Sequence, residues 1–88
     1  MKTITYDASS PCWMISGEAN RCFLDIQIDS LQEILTARGY LYLNQIYESL
    51  ALKWNPDWDN ICYKSTSGEL HMDIKIGLGG VCFIEIYQ

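Results

Sequence analysis

The chain has 88 residues, eleven acidic against six basic, for a net charge of −5. One domain is expected at this length, and an apolar content of 49% with 19% charged residues excludes intrinsic disorder. The acid excess disfavours a nucleic-acid backbone or an anionic membrane as partner and leaves basic protein surfaces.

No stretch approaches the roughly 18 consecutive apolar residues of a membrane-spanning helix. The opening MKTITYDASS lacks the apolar stretch of a secretory signal, so the cytoplasm is the expected compartment. The cysteines are Cys12, Cys22, Cys62 and Cys82, with no CxxC pair, and the one histidine is His71. Zinc sites usually take two ligands from one tight turn. Buried free thiols acting as small hydrophobes are therefore expected, with no metal and no cofactor.

In chain order, KTITY (2–6) is β-prone. Residues 7–21 carry Asp, Ser, Pro and Gly and read as a loop. Its Cys12-Trp13-Met14-Ile15 cluster either tucks onto the core edge or forms an exposed apolar patch. CFLDIQID (22–29) alternates Leu24, Ile26 and Ile28 with Asp25, Gln27 and Asp29, which predicts a half-buried strand. SLQE (30–33) has the form of a capping box, and Leu31, Ile34 and Leu35 form a helical stripe that Arg38-Gly39 ends. YLYL (40–43) is a short extended link. Asn44 is placed to cap a second helix, QIYESLALK (45–53), which Pro56 stops. ICYK (61–64), ELHMDIKI (69–76) and VCFIEIYQ (81–88) read as strands joined by the turns STSG and GLGG.

The expected fold is one α+β domain over 1–88. It has a twisted antiparallel sheet of about five strands with two central helices packed on one face, in the order β-β-α-α-β-β-β.

Candidate chemistry is sparse. Asp25, Asp29, Asp73 and Glu85 fall on the solvent side of predicted strands, and such carboxylates can serve acid–base catalysis. No nucleophile, oxyanion hole or phosphate cradle accompanies them, so no catalytic residues are expected. GLGG is followed by a strand rather than a helix and reads as a turn, not a nucleotide loop. Asp57, Asp59 and Asn60 lack the glycine and glutamate that complete a calcium loop. The six basic residues are dispersed, which argues against direct nucleic-acid binding. The acid excess is modest for a mimic of DNA. Eleven aromatic residues favour protein binding. Trp13, Trp54 and Trp58 lie outside the periodic segments. In LKWNPDWDN (52–60), Trp58 is expected to plug the junction of helix and sheet, while Trp54, Asp57 and Asp59 face a partner. The candidate partner-binding residues are Trp13, Trp54, Asp57, Asp59, Asp25, Asp29, Asp73 and Glu85.

The stretch ARGYLYLNQIYESLALKWNPDWDNICY (37–63) resembles a segment of small acidic proteins encoded by phages and conjugative elements of Gram-positive bacteria. The matching positions are Gly39, Leu43-Asn44, Tyr47-Glu48, Leu50-Ala51-Leu52 and Trp58, whereas Ala51 and Asp57 stand where that pattern has glycines. The resemblance implies a mobile-element origin, and with it an anti-defence role of the anti-CRISPR kind in a bacterial host. The expected function is non-enzymatic inhibition of a host nucleic-acid-targeting defence protein by covering its basic surface. The alternatives are a dimerising or scaffold module, which leaves a homodimer open, and a carboxylate-based enzyme.

Overall fold

The structure, a computed structural model, describes residues 2–58 and 60–88. The chain is α+β, with two α-helices and five strands among the described residues. In order these are β1 (Lys2–Tyr6), α1 (Gly17–Arg38), β2 (Tyr40–Tyr42), α2 (Leu43–Ser49), β3 (Cys62–Lys64), β4 (His71–Ile76) and β5 (Cys82–Tyr87). All strand pairs are antiparallel, and the strands divide into a three-stranded sheet β1-β5-β4 and a two-stranded sheet β2-β3.

The segment read as a strand over 22–29 is the middle of α1, so the order is β-α-β-α-β-β-β. The alternation there is also compatible with a helix. Asn20, Leu24, Leu31 and Leu35 are buried and recur on one helical face. Ile26, the residue that completed the strand pattern, points away from that face and is 58% exposed. The helix is capped fourteen residues before the apparent capping box at Ser30, because the cap is Ser16. Its backbone is extended, at φ −79 and ψ 122, and its hydroxyl accepts from the Ala19 N–H at 3.3 Å. The far end is as expected: Gly39 takes φ 82 and its N–H donates to the Leu35 carbonyl at 2.7 Å, with Arg38 in the last turn.

Residues 40–42 are a strand rather than a link. They pair with β3, so that Tyr40, Leu41 and Tyr42 lie opposite Lys64, Tyr63 and Cys62. The STSG turn is therefore not a hairpin between β3 and β4. It forms a 3-10 turn, Ser65–Ser67, that leads from one sheet to the other. GLGG does close a hairpin, between β4 and β5. The second helix is shorter than expected: it runs Leu43–Ser49 behind an N-cap at Tyr42, and Asn44 is buried in its first turn.

Strand alternation sets the two faces of the larger sheet. Ile4, Tyr6, Met72, Cys82, Ile84 and Ile86 face inward and are buried against α1. Thr3, Thr5, His71, Asp73, Lys75, Phe83, Glu85 and Tyr87 face outward. Leu24, Leu31 and Leu35 enter the same core, together with Leu41, Leu43, Ile46 and Leu50 from the smaller sheet and α2. Each such buried side chain contributes about 1.5–3 kcal/mol. Among the described residues, no helix is long and apolar enough to cross a membrane.

Candidate protein-binding site

Helix α1 fixes the first surface. Glu18, Asp25, Asp29 and Glu33 recur at spacings of seven, four and four and lie opposite the buried stripe of Asn20, Leu24, Leu31 and Leu35. All four are exposed, and none makes an ion pair among the described residues. At 1.5 Å per residue the stripe is about 22 Å long. A carboxylate every turn or two on a packed helix is a fixed negative field, since the helix cannot fold the charges away.

The second surface surrounds α2. A concavity of about 520 Å³ is lined by Arg38, Tyr42, Asn44, Gln45, Glu48, Trp54 and Asn60. Glu48 and Gln45 also line a groove of about 310 Å³ that runs towards α1 past Ser30 and Ile34. On its other side Trp54 borders a hollow of about 390 Å³ with Tyr47, Lys53 and Trp58. Trp54 is thus a ridge between two depressions and is 51% exposed.

That ridge is held by a buried amide. Asn44 donates from Nδ2 to the Asn55 carbonyl at 2.9 Å and accepts at Oδ1 from the Asn55 N–H at 3.4 Å. The Asn55 side chain in turn accepts from the Asp57 N–H at 3.0 Å, which opens the 3-10 turn Pro56–Trp58. Trp58 is partly buried: it packs at 4.9 Å from Tyr47, and Lys2 Nζ lies 3.7 Å from its ring centre. It is therefore the junction plug expected from the sequence. Burial lifts the Tyr47 phenol above the usual tyrosine range, with nearby Tyr63 adding to the effect.

The third surface is the outer face of the larger sheet. Asp73 and Glu85 are register partners there. Tyr87 donates to Asp73 at 2.6 Å, and that bond holds its phenol above the ordinary value. Lys75 pairs with Glu85 at 2.6 Å, which raises the ammonium's pKa in turn. His71 stacks on Tyr87 at 5.0 Å. These two carboxylates are committed within the sheet, unlike those of α1.

The predicted site residues are therefore not one site. Trp54 and Asp57 are together and exposed. Asp59 lies outside the described residues. Asp25 and Asp29 are exposed as expected, but on a helix rather than on a strand. Trp13 is half-buried against the core, whereas its neighbours Met14 and Ile15 are exposed. The thiols also differ from expectation. All four are free, but only Cys82 is buried; Cys62 is half-buried, and Cys12 and Cys22 face solvent. Sequence reasoning missed Glu18, Glu33, Glu48 and Tyr42. The first two become visible only once 17–38 is read as one helix. Comparison with protein-family models, with curated proteins and with solved structures gave no match.

Proposed function

We propose that the protein is a non-enzymatic protein-binding module of a mobile element, an anti-CRISPR-like inhibitor that covers the basic surface of a host nucleic-acid-targeting defence protein. The observation that carries this reading is the acidic stripe of α1, which makes no ion pair among the described residues. Fixed carboxylates complement a surface built to hold phosphates, and they act without a cofactor. The exposed Trp54 ridge supplies the aromatic anchor that such interfaces centre on. The resemblance of residues 37–63 to proteins of phages and conjugative elements supports the mobile-element origin.

Affinity capture from a bacterial host lysate tests it. A basic nucleic-acid-binding protein should be retained at low salt and released as salt rises. The triple variant Asp25→Asn, Asp29→Asn, Glu33→Gln should lose most of that retention while staying folded. Recovery of no basic protein, or retention indifferent to the triple variant, would overturn the reading.

A dimerising module is the second reading, favoured by the apolar end of the molecule. Ile15 and Leu78 are 86% and 94% exposed, and Gly80 beside Leu78 packs on the Ile15 backbone. A mass in solution that rises with concentration, and that Leu78→Ser holds at the monomer, would establish it.

A further inference from the structure

Two aromatic rings near α2 are covered by the chain's own cations. Lys2 Nζ sits 3.7 Å from the Trp58 ring centre, and the Arg38 guanidinium lies 4.4 Å from that of Tyr40. Between these two covered rings stand Trp54 and Tyr42, 51% and 39% exposed, with no cation over either among the described residues. Tryptophan is the best aromatic acceptor of a cation.

The concavity these two rings share is about 520 Å³, ample for one long side chain. Among the described residues its charged walls are Arg38 and Glu48. Arg38 is already engaged: it donates to Gln45 Oε1 at 3.3 Å and stacks on Tyr40. Glu48 is exposed and makes no ion pair among the described residues. Glu48 is therefore the lining carboxylate that can counter an incoming cation, while the Arg38 guanidinium, still charged, is held on Gln45 and Tyr40.

We propose that this concavity receives one arginine or lysine side chain of the protein partner, its cation on the Trp54 ring and countered by Glu48. The proposal rests on the reading of the chain as a binder of a basic protein surface, and it names where one partner cation seats. The seat is formed in advance. Asn44 fixes Asn55, the neighbour of Trp54, and Gln45 Oε1 also accepts from the Tyr42 N–H at 2.9 Å. Binding therefore requires little ordering of the protein's own backbone. Guanidinium fits better than ammonium, because its plane stacks on the indole while its N–H groups still reach the carboxylate.

A hexa-arginine peptide tests the seat, titrated at low salt into the full chain with the tryptophan indole N–H signals followed by NMR. The Trp54 signal is identified by its loss in Trp54→Phe. It should shift saturably, whereas that of Trp13 should stay in place. Glu48→Gln and Trp54→Ala should each weaken binding about five-fold. Peptide binding with an unmoved Trp54 signal, or with unchanged affinity in Glu48→Gln, would overturn the seat and leave the acidic stripe of α1 as the binding surface. A Trp54 signal moved by inorganic phosphate but not by the peptide would overturn it in favour of an anion at Arg38. Failure of the peptide to bind at all would remove both the seat and the broader reading.

Discussion

Two loops of this protein are fastened by the same device and end in opposite ways. Asn20, in the first turn of α1, accepts at Oδ1 from the Met14 N–H and donates to the Met14 carbonyl, both at 2.7 Å. Asn44, in the first turn of α2, makes the same pair of bonds with Asn55. Each is a buried side-chain amide that satisfies both backbone groups of one loop residue. Each clamped residue follows a tryptophan. Trp13 turns inward and packs on the core, while Trp54 turns outward and stands half exposed. The clamp therefore fixes the backbone and leaves the tryptophan's fate to its surroundings. Trp13 packs against the core cluster, whereas beside Trp54 the inner position is already taken by Tyr47 and Trp58.

The largest expected effects lie at the two clamps. Asn20 makes a third bond, from Nδ2 to the Gly80 carbonyl at 2.9 Å, and so ties its loop to the β4–β5 hairpin. Asn20→Ala should cost about 2–3 kcal/mol, because it leaves several backbone groups without partners in a cavity. Asn44→Ala should cost about 1–2 kcal/mol and should also shift the Trp54 indole signal. Urea unfolding of each variant checks these losses. An Asn20→Ala variant as stable as the parent would mean that its three bonds contribute nothing.

The tryptophans themselves come next. Trp13→Ala should cost about 2 kcal/mol, at the low end for a large aromatic because the site is only half-buried. Trp54→Ala should change stability by less than about 0.5 kcal/mol, as exposed substitutions usually do. A destabilising Trp54→Ala would mean that this ring belongs to the core and is not presented to a partner.

A smaller effect separates the two helix exits. Gly39 leaves α1 at φ 82, and Ala51 follows α2 at φ 55, the one non-glycine residue with positive φ among those described. The turn at Ala51 is held locally by the Leu52 N–H, which donates to the Tyr47 carbonyl at 2.9 Å, and from outside by Ser10 Oγ, which donates to the Leu50 carbonyl at 2.8 Å. Ala51→Gly should therefore raise stability by about 0.5–1 kcal/mol, seen as a higher urea midpoint with an unchanged slope.

The smallest effect is alkaline. Burial raises the pKa of Tyr6 on the Trp13 side and of Tyr47 and Tyr63 on the other. A raised folded value means that the contribution is complete below pH about 10 and is lost as pH climbs through the folded values. The urea midpoint should fall between pH 9 and pH 11. Tyr6 is fully buried and Tyr47 only partly so. Tyr6→Phe should therefore remove more of that fall than Tyr47→Phe.

Much of the fold was legible where local chemistry and tertiary structure agree. The strands of the larger sheet, 2–6, 71–76 and 82–87, show in the sequence because one face is buried and one is wet. The exit at Arg38-Gly39 was legible because glycine accepts the left-handed turn. The candidate site was legible only in its tip, Trp54 and Asp57. Its acidic stripe was split by the reading of 22–29 as a strand, since eight residues with three isoleucines or leucines fit either period. What decides between the periods is the long series from Asn20 to Leu35, and a buried asparagine at a core position hides its start.

By itself the sequence determined the α+β class, the alternating strands, the α1 exit and the excess of acid, because each depends on residue type and near neighbours. Only the tertiary structure decided that the five strands form two sheets, that Asn20 and Asn44 point inward, and that Ala51 adopts a glycine's conformation. It alone also gathered Glu18, Asp25, Asp29 and Glu33 onto one face and Trp54, Tyr42 and Glu48 around one hollow. The physical reason is common to all of these. Each is settled by partners far away in the chain, such as Gly80 for Asn20 and Ser10 for Leu50, whose contacts outweigh local preference.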